Sequence, residues 1–457
     1  MIRAELERRP LLVFCLGLIV GLTLARHPIH FLFLLPCYWL LTGFRSRAWL
    51  TAGFVIGAFL GPGRPPAMLL ERTPVRGDWR VATMPAIQPF GQTCEIERDG
   101  VRLSLTYQGS RVLVKGATIR LTGIAKPVKE GALAFFEQRN LVGRVDATES
   151  EVEIAQEAPW IYGLASAWRG RFLNLTARNL SPRDSALLDS MCFHVNGGID
   201  DGTKDEILAS GAVHLLQSSG LQAILIAQSL FWLFSWLPAP RWAQILVVAA
   251  ILGLYVVATG SSPSILRAVT MSLLAQCAYL VRREPDWPSA LALSSILYLF
   301  WFPGGVYEVG FQLTFLAVLT MSAFSTPVKW RPGFEAWAYR IAIRSLRSSV
   351  VAYAAIAPLI AFYFGSVSLV TVPIGLLIAA AAVPAVVLSM AACALPISSL
   401  AGLGLKATAP LVWFIDSVLG AFGGPGLTVR TPAFSGYWLV LYYGLLLALW
   451  RPRARQP

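Results

Sequence analysis

A helix needs about 20 apolar residues to cross the roughly 30 Å hydrocarbon core of a bilayer, and runs of that length recur in this chain from residue 10 to residue 450. They fall near 10–26, 29–44 and 47–61, then near 212–236, 241–259, 264–282, 288–302, 306–326, 347–365, 368–395, 408–423 and 436–450. One buried core helix cannot account for such a series. Only 14% of the residues are charged, against about 25% in ordinary soluble proteins. The first run follows Arg8 and Arg9 in the manner of a signal peptide, but two more apolar stretches follow at once without a clear small-residue cleavage pattern. It reads as a retained helix.

Lys and Arg near helix ends stay on the cytoplasmic side. Arg8 and Arg9, Arg45 and Arg47, Arg241, Arg282 and Arg283, Lys329 to Arg347, Lys406, and Arg451 to Arg455 can all lie inside if the chain crosses twelve times. Both termini are then cytoplasmic. The long polar interval between the third and fourth runs falls outside and must be a domain of its own. The net charge of +13 fits nucleic acid, anionic lipid or a cytoplasmic loop bias equally well. Six scattered cysteines, without the paired spacing of a zinc or redox motif, read as unpaired small apolar residues.

Within the polar interval, Trp79 to Thr83, Val101 to Tyr107, Ala117 to Thr122, Gly143 to Thr148 and Val152 to Ile154 alternate apolar and polar residues. Period-two alternation broken by Gly, Pro and Asp predicts a small antiparallel sheet or barrel. From Pro159 to Leu180 the period becomes helical, with Trp160, Leu164, Trp168, Phe172 and Leu175 on one stripe. That stripe can lie on a membrane surface, with Arg169, Arg171 and Arg178 at the headgroups, or pack against the β domain.

Few residues could carry chemistry. Asp200, Asp201, Asp205 and Glu206 could hold a hard cation, but Thr203 and Glu206 have capping-box spacing, so the cluster reads first as a helix start. The stretch from Ser210 to Gln222 places His214, Ser219, Gly220 and Gln222 in a segment otherwise bound for lipid. Small residues there permit close packing, and the polar ones permit a wet cavity. Arg267 falls one turn inside a span opened by Ser262 and Pro263, so it either snorkels outward or points inward at an acid or a passing phosphate. Glu308 and Gln312 share one helix face and Phe311 lies on the next; equal depth suggests a Glu308–Arg267 contact. Asp416 sits alone inside the eleventh run, where a lone acid is a functional candidate or an interfacial one. No nucleophile elbow, Walker loop, HExxH, CxxC pair or dinucleotide loop occurs.

Three stretches together resemble the competence domain of the ComEC family: Gly211 to Leu216 with Ser219-Gly-Leu, Gly260 to Met271, and Gly310 to Val318. A looser similarity covers Ala357 to Gly365 and the upstream interval. The resemblance implies a polytopic α-helical membrane protein of about twelve spans with a small extracytoplasmic OB-like β-barrel. Its parts would be N-terminal helices in 1–63, the β domain in 64–158, amphipathic interfacial helices in 159–210 and the channel domain in 211–457. It implies a channel passing single-stranded DNA across the bacterial inner membrane in natural transformation. The path residues would be His214, Ser219, Gly220, Gln222, Arg267, Glu308, Phe311, Gln312 and Asp416. The partners would be membrane lipid, a competence DNA receptor, a cytoplasmic helicase or separate nuclease, and a second copy of the chain if it oligomerises. No cofactor, metal or enzymatic step is expected. Many relatives carry a metallo-β-lactamase-like domain that is expected to be missing here.

The family commonly has His where this chain has Gln222. A diverged paralogue that moves another solute, or a non-conducting assembly subunit, therefore stays open. The β domain has 13 Lys and Arg against 12 Asp and Glu in 64–158, so DNA binding there would need a local patch: Arg98, Arg102, Arg111, Lys115 and Arg120. A spacer of balanced charge is the alternative.

Overall fold

The computed structural model describes residues 9–26, 44–60, 68–88, 91–128, 133, 136, 139–211, 220–261, 263–324, 334–368, 370–423, 428–432 and 436–449. The run near 29–44, His214, Ser219, Ser262 and Cys37 lie outside them.

The first two described helices are apolar, α1 (Pro10–Arg26) and α2 (Phe44–Leu60). Their contact rests on four glycines. A Cβ on Gly17 or Gly21 would overlap the carbonyls of Leu50 or Phe54, and one on Gly53 or Gly57 those of Phe14 or Leu18. Small residues four apart let backbones touch in lipid, where apolar side chains give no advantage over acyl tails. Arg9, at the foot of α1, donates from Nε and Nη2 to both oxygens of Asp286 at 3.0 and 2.9 Å.

The polar interval folds as a barrel of β1 (Thr73–Val81), β2 (Ala86–Gln88), β3 (Gly91–Arg98), β4 (Val101–Gln108), β5 (Thr118–Lys126), β6 (Gly143–Thr148) and β7 (Val152–Gln156). The strands β1-β3-β4-β6-β5 form a ring that closes through β1–β5, while β2 and β7 extend it from β3 and β5. Neighbours are antiparallel except β4 and β6, which run parallel from Leu103↔Gly143 to Gln108↔Thr148. Alternate residues fill the interior, among them Val75, Trp79, Ile96, Leu105, Tyr107, Ile119, Leu121 and Val145. The alternating pieces in the sequence locate five of the strands. β2 and β3 give no such signal, because β3 buries Cys94, Glu95 and Ile96 in succession. Glu95, on the outer face beside Ser104, is covered there and bridged to Arg139 at 2.8 Å.

Next come α3 (Trp160–Asn179), α4 (Pro182–Phe193) and α5 (Asp201–Ser210). α3 meets the β domain, as one of the two expectations had it, through Tyr162 against Gly116 and Lys115, and it packs on the helical bundle as well. Trp160 and Leu164 are exposed, while Ala165, Phe172 and Leu175 join the core of the helical bundle, with Trp168 and Phe172 against Phe193 at 5.7 and 4.9 Å. Arg169, expected at headgroups, is buried and donates from Nη1 to the Pro85 carbonyl at 3.0 Å. The 200–206 cluster does start a helix. Its cap is Asp200, which accepts from the Thr203 amide and hydroxyl at 2.9 and 2.7 Å.

The remaining helices are α6 (Gly220–Ser235), α7 (Arg241–Ala258), α8 (Pro263–Leu280), α9 (Trp287–Trp301), α10 (Val309–Phe324), α11 (Phe334–Phe364), α12 (Thr371–Ala394), α13 (Ser398–Phe422) and α14 (Gly436–Leu449). Among the described residues, four stretches are long and apolar enough to cross a membrane: 241–258, 346–364, 371–394 and 398–422. Six apolar helices are shorter. Two helices start earlier than the hydropathy does: α11 takes in most of the basic stretch, and α13 takes in Lys406, which is therefore inside a helix and not in a loop. Exposed Trp232, Trp236, Trp242 and Trp287 gather at the ends of α6, α7 and α9, as aromatic belts do at membrane–water interfaces. A short ladder of β8 (Ser366–Ser368) with β9 (Thr428–Arg430) clasps the α11–α12 and α13–α14 connections.

Candidate functional site

Arg267 stands one turn into α8, 1% exposed. Burial is imposed by its neighbours: Gly220 of α6 packs on Ala268 and Ser264, and α9 and α10 cover the other side, where Leu18 and Leu22 of α1 join Tyr298, Leu299, Val306 and Phe311 in one apolar cluster. A guanidinium has five N–H donors. Nη2 donates to the Gly310 carbonyl at 3.0 Å and to Thr314 Oγ1 at 3.1 Å. Nε and Nη1 have no acceptor. The guanidinium carbon lies 5.1 Å from the Phe311 ring centre and 5.5 Å from that of Tyr298. The two rings are themselves stacked, with centres 5.9 Å apart, so both lie to one side of the charge.

The expected Glu308–Arg267 contact does not form. Glu308, in the turn before α10, accepts from the Tyr298 hydroxyl at 2.8 Å, and no ion pair joins it to Arg267. Tyr298 stands between acid and base, its hydroxyl on one and its ring against the other. Sequence reading missed it, because a tyrosine inside an apolar run carries no polar signal until its partner is known. Cation–π contact supplies about 0.5–2 kcal/mol, well short of the several kcal/mol that desolvating an unpaired charge costs. Gln312, one turn beyond Glu308, donates to the Val306 carbonyl at 3.1 Å and accepts from Tyr363 at 3.0 Å. Gln222 is 3% exposed. Shallow surface depressions lie elsewhere, one on the barrel around Trp79 and Arg98 and one between Arg183 and Thr203. The described residues around Arg267 close it off from the surface.

Asp416 is not alone. Arg183, at the start of α4, donates from Nε to Asp416 at 2.7 Å and from Nη2 to Glu206 at 2.8 Å. The pairing joins positions 233 residues apart, beyond what local pattern can show.

Comparison with known proteins bears on this core. The model of the family described as Competence protein matches residues 191–456, more than half of the chain. The chain belongs to the Competence protein family. It is 27% identical over 212 residues to ComE operon protein 3 of Bacillus subtilis (strain 168), which covers 46% of this chain and 26% of that relative. The chain thus aligns with about a quarter of that relative's length. No solved structure matches. The Competence region begins at the end of α4, so α1, α2 and the barrel lie before it, although α1 helps wall in Arg267.

In this Competence protein the five barrel cations do not form one free patch. Arg98 pairs with Asp99, Arg102 with Glu97, and Arg120 with Asp78 and Glu153. Arg111 has Glu149 nearby, the carboxylate held by the Ser110 hydroxyl at 2.7 Å. Lys115 faces the helices instead, donating to Ser261 Oγ at 3.3 Å and lying 5.6 Å from the Tyr162 ring centre. Burial pulls its pKa down, and nearby Arg80 and Arg102 add to that.

Proposed function

We propose that this chain carries single-stranded DNA across the bacterial cytoplasmic membrane during natural transformation, as a multi-pass channel of about twelve spans with both termini cytoplasmic. The observation that carries the reading is Arg267. A guanidinium 1% exposed among apolar helices, with three N–H groups unmet, is retained at a cost that packing alone would remove by substitution. A phosphodiester is the acceptor that such a group fits.

Arg9 and Asp286 tie the feet of α1 and α9 at one level, near the end where Arg282 and Arg283 follow α8. The opposite turn, at Gly260 and Ser261, meets the barrel through Met84 and Lys115. A basic end and a barrel end on opposite sides support an extracytoplasmic barrel. The ring β1-β3-β4-β6-β5 with its parallel pair supports an OB-like fold, a scaffold suited to oligonucleotides. The charge pairing on its strands favours a docking or guiding role over an open basic groove. In this reading the enclosure of Arg267 is the closed state of the path, and opening parts α8 from α10. The chain makes and breaks no bonds itself. A DNA receptor delivers the strand, a cytoplasmic helicase draws it in and a separate nuclease removes its complement.

The same enclosure favours one other reading, a non-conducting assembly subunit. Labelled-DNA uptake separates the two. Arg267→Ala and Gln312→Ala should lower cytoplasmic uptake about tenfold or more at unchanged protein level, the loss expected when a charged contact worth about 1.5–3 kcal/mol is removed. Unchanged uptake in a gene deletion overturns the channel.

A further inference from the structure

Arg267 lacks more than an acid. Its Nη2 is served by a backbone carbonyl and a hydroxyl, while Nε and Nη1 have nothing. Tyr298 and Phe311 occupy one side of the guanidinium only. Glu308, the carboxylate nearest in the fold, is already engaged by the Tyr298 hydroxyl. The guanidinium, beside Tyr298 and Phe311 of an apolar cluster that includes Leu18, Leu22, Leu299 and Val306, is joined to no described carboxylate by an ion pair, and its Nε and Nη1 donors stay unmet. The planar fork of N–H groups suits an oxyanion, which accepts several donors at once, better than a spherical halide. Aromatic faces exclude water from the pair and strengthen it.

We propose that Arg267 is the seat of a phosphate-class oxyanion, admitted when α8 and α10 part and neutralising the bundle when no nucleic acid is present. The inference rests on the channel reading only in one respect: a phosphodiester in transit would displace the bound ion. The seat itself needs no transport.

The test uses the full chain in dodecyl maltoside, which carries no phosphate, with buffer anions exchanged for gluconate. Inorganic phosphate is titrated at constant ionic strength while thermal unfolding is followed by tryptophan fluorescence. The native chain should show a saturable rise in Tm, and Arg267→Gln should lose it. Phe311→Leu, which keeps the charge but removes one ring face, should weaken apparent phosphate affinity about fivefold, the loss of one cation–π contact. No saturable rise in the native chain, an equal rise in Arg267→Gln, or unchanged affinity in Phe311→Leu each overturns the proposal. If Arg267→Gln does not fold, the native chain and Phe311→Leu still decide it. Repeating the phosphate titration with a short single-stranded oligonucleotide present distinguishes the sources: a phosphate midpoint moved to higher concentration shows that phosphodiesters compete for the seat, and an unmoved midpoint assigns it to free phosphate alone. Failure of the two readings is separable. A phosphate response lost in Arg267→Gln while its DNA uptake stays normal sinks the DNA path and keeps the anion seat; lost uptake without any phosphate response does the reverse.

Discussion

Asp189 makes the joint between α3 and α4 sensitive to pH. Its carboxylate accepts from the Thr176 hydroxyl at 2.8 Å and from the Ser185 hydroxyl at 3.3 Å, both outside the long apolar spans. Burial pushes its pKa up from 3.8 to about 7, against the opposing pull of those hydroxyls and of Arg169. The folded form therefore binds a proton more tightly than the unfolded chain, so the stability gained from the neutral carboxyl is fully present below about pH 4 and is lost as pH rises towards 7. Three pH units at about 1.4 kcal/mol each amount to something on the order of 4 kcal/mol. Asp189→Asn keeps an oxygen for Thr176 and cannot ionise. Thermal unfolding in detergent, scanned from pH 4 to pH 8, should show the native Tm falling across that window relative to Asp189→Asn, with the variant the more stable by several degrees at pH 8. Other titrations, including that of the neighbouring exposed His194, are common to both chains and cancel. Parallel pH profiles for the two would refute the assignment.

Gly53→Val should separate α1 from α2, because its Cβ meets the Phe14 carbonyl rather than a movable side chain; we expect a loss of about 3 kcal/mol, the upper end of the usual overpacking cost, read as a lower Tm, whereas the outward-facing Val55→Ala should change little. Arg183→Ala should cost about 1 kcal/mol, since the partners are partly exposed, and adding Asp416→Asn should recover part of it. A non-additive double-mutant cycle in melting measurements checks that coupling.

The sequence alone determined that this chain is built from apolar helices around a polar insert with strands, because both signals are local: enough consecutive apolar residues to span lipid, and alternation at the period of a pleated strand. It also marked Arg267, since a charge in an apolar run is visible without any neighbour. The stretch from Ser210 to Ser219 was marked in the same way, and most of it lies outside the described residues. Tertiary structure decided the partners. Tyr298 intervenes between Glu308 and Arg267, Arg183 reaches Asp416 across 233 positions, and β3 hides in the sequence because its outer-face Glu95 is covered as well, with Arg139 bridging it. Pairing energy depends on distance in space, and a linear pattern records only distance along the chain. Which charges are satisfied and which, like Arg267, are left wanting an acceptor is therefore fixed only when the helices close.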